Sequence, residues 1–157
     1  MATGDGWART TAAIGLAGVP PDTMAAITDY LTNKVGIAGV LETVTGVWRT
    51  ISRARGGFLR KDRETVHVVL LGPSWLVLVA HDGARPATWA DVTAIRLSDI
   101  RVQDYETSAL ARLQADHGLT LVWQADGPDP SSTFIGLGNE PAADDLRRRL
   151  HAATRLT

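Results

Sequence analysis

The side chains able to do chemistry are few and scattered. The four histidines are His67, His81, His117 and His151. No two of them have the i, i+4 spacing that places imidazoles on one helical face for a metal, and there is no HExxH. His67 falls in an apolar run and reads as a hydrogen-bonded structural histidine; His117 reads as a solvated loop residue. Serines 74, 98, 108, 131 and 132 lack a GxSxG setting. Asp144 and Asp145 stand at the start of a helical pattern, where carboxylates complement the positive helix end, rather than at the spacing of an acid/base pair. Neither 55–57 (RGG) nor 136–138 (GLG) is a P-loop or a dinucleotide fingerprint. The one anomaly is a basic cluster. Residues 49–63 hold Arg49, Arg53, Arg55, Arg60, Lys61 and Arg63, six of the sixteen basic residues, opposed only by Asp62. In a loop with Gly56, Gly57 and Phe58, such a cluster can clamp phosphates, because arginine presents forked donors. Arg53, Arg55, Arg60, Lys61 and Arg63 are the candidate ligand-binding residues. No catalytic residue, metal ligand or cofactor is expected.

Bulk properties narrow the partners. At 157 residues the chain suits one domain with an appended segment. Its net charge of −1 makes it no general polyanion binder, so an electrostatic partner must be met by a local patch. Nucleic acid is disfavoured on the same ground. The absence of cysteine excludes disulfides and thiolate chemistry and fits a reducing compartment. The apolar piece at 12–19 is short and broken by Gly15 and Gly18, unlike a secretory signal. No run is long enough to span a membrane. A cytoplasmic location is the expectation.

The elements that would position these residues centre on 66–80, VHVVLLGPSWLVLVA. Both parities are apolar, so the strands should be covered on both faces. Gly72, Pro73 and Ser74 supply a turn, which makes the run an antiparallel hairpin. Before it, 1–19 reads as a flexible arm rich in Gly, Ala and Thr. Residues 20–39 read as a helix opened by Pro20, Pro21 and Asp22, striped by Met24, Ile27, Leu31 and Val35, and closed by Gly36 and Gly39. Residues 40–52 carry a helical stripe yet are rich in Val, Thr, Ile and Trp; they are read as a strand. After the hairpin, 85–89 is expected as a short edge strand. Residues 92–105 suggest two strands around Ser98 and Asp99, and 108–114 is compatible with a helix. Residues 116–118 read as a hairpin loop, 119–124 as a strand, 125–132 as a loop and 133–137 as the last strand. A helix over 140–154 follows, with Asn139 as its N-cap and Ala142, Leu146, Leu150 and Ala153 as its stripe.

This order, with VHVVLLGPSWLVLV, IRLSDIRV and the ending STFIGLGNEPAADDLRRRL, resembles the pleckstrin-homology-like (PH-like) superfold, especially bacterial PH and GRAM-like domains. The likeness covers roughly residues 40–153. It implies an α+β, mainly β fold: a bent antiparallel sheet sandwich or partly open barrel capped by a C-terminal helix. The N-terminal helix and arm would be additions, and Leu146 and Leu150 would plug the open end. It also implies a non-enzymatic scaffold. The expected partner is a protein, docked by a sheet edge, the N-terminal helix or the arm. The alternative is an anionic lipid or other phosphate-bearing ligand held by the basic loop 53–63, since PH-like domains that bind phosphorylated lipids often use a basic loop between early strands.

Overall fold

The computed structural model describes residues 7–54, 56, 58, 59, 61–113 and 116–155. The central hairpin forms as its pattern demands. β3 (Arg63–Leu71) and β4 (Trp75–Asp82) pair antiparallel with Leu70 opposite Val77 and Val68 opposite Val79. The turn is closed by the Gly72 amide donating to the Trp75 carbonyl at 3.0 Å. Around this hairpin a five-stranded antiparallel meander runs in the order β1 (Trp7–Ala13), β2 (Gly46–Ala54), β3, β4, β5 (Val92–Arg96). A second meander of three strands, β6 (Ile100–Asp104), β7 (Gly118–Gln124) and β8 (Pro130–Gly136), is closed off in sequence by helix α2 (Pro141–Arg155). The two sheets do not join into a closed barrel.

Alternation along β3 and β4 divides the core in two. Val69, Leu71, Leu76 and Leu78 face Leu119, Leu121 and Ile135 of the second sheet. Val68, Leu70, Val77 and Val79 face the opposite way, toward Ala26, Ile27 and Leu31 of helix α1 (Pro21–Asp29) and its π-helical continuation Tyr30–Lys34. Two apolar parities therefore serve two buried layers, as period-2 geometry requires. Leu146 and Leu150 of α2 are fully buried in the inter-sheet core, with Ala143 beside them. Ala142 and Ala153 pack at its margin.

Several expectations need correction. Trp7–Ala13 is not part of a flexible arm: it pairs along its length with β2, from Trp7 opposite Ala54 to Ala13 opposite Trp48. Residues 1–6 lie outside the described residues. The helix is shorter than 20–39, and Gly36 and Gly39 follow it with φ of 65° and 78°, a region that favours glycine. In 40–52, a 3-10 turn at Leu41–Thr43 precedes the strand, which begins only at Gly46. Gly46 is required there, because an added Cβ would lie 2.4 Å from the Trp48 ring. Residues 85–89 are no strand; β5 is the edge, and Pro86 denies 85–89 a ladder donor. Residues 116–118 are no tight hairpin: 3-10 turns at Tyr105–Thr107 and Ala109–Arg112 occupy the long link from β6 to β7. β8 starts at Pro130, inside the expected loop 125–132. Glu140, not Asn139, directly precedes α2, and its carboxylate accepts from the Thr11 amide at 2.9 Å.

Candidate functional site

The basic loop is the connection between β2 and β3. The register ends with Arg53 opposite Glu64 and Ala54 opposite Arg63, so the two strands deliver the loop at one end of the large sheet. Arg53 is not a free cation. Its Nε donates to Glu64 Oε2 at 2.6 Å across the last rungs. Among the described residues Asp62 pairs with no arginine; its Oδ1 accepts from the Gly56 amide at 2.9 Å and narrows the neck of the loop. Lys61 and Arg63 are exposed and have no ion-pair partner among the described residues. Arg55 and Arg60 lie outside the described residues. Arg49, although part of the basic run in sequence, sits well inside the sheet, away from the loop, opposite Val68.

Between these cations stand two side chains whose exposure was not anticipated. Phe58 is 104% and Leu59 91% exposed, the most exposed large apolar residues in the described chain. Composition marks the loop as polar and basic, and an apolar pair inside it would ordinarily be assigned to packing. The signal available in the sequence was their position immediately after Gly56 and Gly57, in a stretch with no strand alternation to bury them. The tip thus combines unburied hydrocarbon with cations at its base.

A second polar assembly lies inside the sandwich. Thr11, Thr50 and His67 occupy consecutive strands on one rung. Thr11 Oγ1 lies 3.0 Å from Thr50 Oγ1, and the Gly138 amide donates to Thr11 Oγ1 at 3.0 Å. Two rungs away, on the same face, Arg9 donates to Ser52 Oγ at 3.2 Å and forms a two-pronged ion pair with Asp116, Nη2 to Oδ2 at 3.0 Å. These bonds fasten β1 to the start of β7 and to the β8–α2 link. His67 is 7% exposed and its Nδ1 has no partner among the described residues. Burial, reinforced by the charges of Arg9 and His81, lowers its pKa to about 4. It is a buried neutral imidazole beside this latch and not the hydrogen-bonded histidine expected from its place in the strand; no carboxylate among the described residues bonds it to orient it as a base.

The third assembly ties α2 to the second sheet. Arg147 donates to Asp104 at 2.7 Å and to Glu106 at 2.8 Å, and His151 Nε2 lies 2.9 Å from Asp104. His117, half-exposed rather than simply solvated, meets Glu106 at 3.0 Å. Burial alone would raise the Asp104 and Glu106 carboxyls; the bonds from His151 and Arg147 to Asp104, and from Arg147 to Glu106, outweigh it and hold both below the usual carboxylate range. Every acid here has a cationic partner, which is the arrangement of a cross-link. Among the described residues no group of three His, Cys, Asp or Glu side chains is placed to hold a metal ion. No helix among the described residues is long and apolar enough to cross a membrane.

Comparison with protein-family models, with curated proteins and with solved structures finds no match to this chain.

Proposed function

We propose that the chain is a PH-like, non-enzymatic recruitment module that docks reversibly on acidic membrane surfaces through the β2–β3 loop. The fold reading is supported by element order: without β1 and α1, the chain is a four-stranded meander, a three-stranded meander and a C-terminal helix whose Leu146 and Leu150 enter the core. The ligand reading is carried by one observation, the pairing of exposed Phe58 and Leu59 with Lys61 and Arg63, which have no ion-pair partner among the described residues. Apolar side chains at a loop tip gain by entering the headgroup–acyl boundary, while cations behind them meet the negative surface. Each cation contributes about 1 kcal/mol near an acidic leaflet. Partial burial of a Phe and a Leu adds about 2–3 kcal/mol together. The sum, about 4–5 kcal/mol, corresponds to roughly millimolar to sub-millimolar affinity, suited to transient recruitment or to use alongside a second contact.

Docking of a partner protein is the second reading. Two of its three expected routes are used within the fold: the arm pairs as β1, and α1 buries Ala26 and Ile27. A sheet edge remains.

The test is co-sedimentation with vesicles of neutral lipid and of neutral lipid mixed with acidic lipid. Binding should require the acidic component and weaken in about 0.5 M salt. Lys61→Glu with Arg63→Glu should abolish it, and Phe58→Ser with Leu59→Ser should reduce it at every salt concentration. Binding that ignores both double variants would refute the loop as the docking element.

A further inference from the structure

The outer face of the large sheet is only partly covered by α1. Beyond the helix start, the rung Ile51–Val66–His81 and the neighbouring pair Arg49–Val68 floor an open groove of about 410 Å³, bordered by Pro20, Asp22 and Thr23 at the α1 N-terminus. Its volume is within the range of small-ligand sites. The charges around it are mostly spent. Glu64 is held by Arg53 at 2.6 Å, and Arg85 by Asp91 at 2.6 Å. Asp22 is exposed in the first helical turn, where the helix end compensates it.

His81 Nδ1 lies 2.9 Å from the Asp82 carbonyl and 3.1 Å from that of Arg85. Arg49 and Thr23 remain. Arg49 is half-buried and has no hydrogen-bond or ion-pair partner among the described residues. Thr23 is 2% exposed, lines the groove, and its hydroxyl also has no partner among the described residues. Both side chains line the groove, so an acceptor on a ligand could replace the water that meets them there. The helix N-terminus beside them favours negative charge. One unpaired cation matches one anionic group, and a floor of Ile51, Val66 and Val68 suits hydrocarbon rather than a compact, fully hydrated anion.

We propose that this groove binds a small amphipathic carboxylate. Its headgroup meets the Arg49 guanidinium and the Thr23 hydroxyl, and its hydrocarbon lies on Ile51, Val66 and Val68. The site lies on the sheet face and does not depend on the loop reading.

The experiment is titration of the full chain with decanoate below its micelle concentration, followed by calorimetry and by amide chemical shifts, with decanol and inorganic phosphate as comparison probes. Decanoate should bind and shift the amides of β2, β3 and the α1 start, and both comparison probes should bind at least tenfold more weakly. Arg49→Gln should lose at least tenfold in decanoate affinity, and Thr23→Val severalfold. Lys61→Glu with Arg63→Glu should leave decanoate binding unchanged, which separates this site from the membrane loop. Equal affinity for decanoate and decanol would overturn the proposal. So would undiminished binding by folded Arg49→Gln, or by Thr23→Val should Arg49→Gln not fold. Shifts confined to Phe58 and Leu59, or no decanoate binding at all, would do the same.

Discussion

His67 should make the fold acid-labile in a window set by one imidazole. Its neutral ring is buried between β2 and β4, and its pKa falls from 6.5 to about 4, chiefly through desolvation. Between these two values the unfolded chain binds a proton that the folded chain refuses, so stability rises with pH there. The contribution is complete above the unfolded pKa and is lost as pH falls through the folded one. Two and a half pH units correspond to about 3 kcal/mol in total, of which a little under half is gone by pH 5.5. The assay is urea unfolding of the wild type and His67→Gln at a series of pH values from about 7.5 to 4. Other carboxylates titrate at the acid end in both proteins, so the quantity to read is the difference between the two profiles. His67→Gln should start less stable at neutral pH, because packing is lost, yet fall less steeply by about 3 kcal/mol over the range. Parallel profiles would refute the reasoning, as would an imidazole resonance for His67 that titrates near 6.5.

Three further outcomes follow from the packing. Leu146→Ala or Leu150→Ala, each emptying a fully buried position where α2 meets both sheets, should cost about 2–5 kcal/mol in urea unfolding. Arg147→Gln should cost about 1 kcal/mol at neutral pH, since the group is part-exposed and solvent screens it. That difference should shrink as pH falls through the range where Asp104 and Glu106 take up protons, because their lowered pKa values contribute stability only above it. Thr11→Val should loosen β1, since the hydroxyl joins Thr50 to the Gly138 amide; faster amide exchange along Trp7–Ala13 would register the change.

What was legible in the sequence follows from which forces are local. The central hairpin and α2 could be read because their apolar spacing repeats over many residues, and both are stabilised by burial that the spacing itself encodes. β1 was hidden. WARTTAA offers little apolar contrast, and it becomes a strand because β2 supplies a ladder and Glu140 accepts the amide of Thr11. The connection before β7 was misread for a similar reason: Asp116 looks like turn chemistry but is held by Arg9 from far away in the chain. In the candidate loop the cations were visible as composition. Their division was not, because the register that sets Glu64 against Arg53 is a property of the paired strands. The groove at Arg49 was invisible on the same ground, being assembled from three strands and the start of a helix.

The most direct test of the docking account uses the absence of cysteine from the chain, which allows a single environment-sensitive fluorophore at Leu59→Cys and, separately, at Asp126→Cys in the β7–β8 connection. On addition of vesicles containing acidic lipid, the probe at position 59 should shift to the blue and become shielded from an aqueous quencher, while the probe at 126 should not change. A probe at 59 that stays fully accessible to the quencher while the protein sediments with the vesicles would contradict the account.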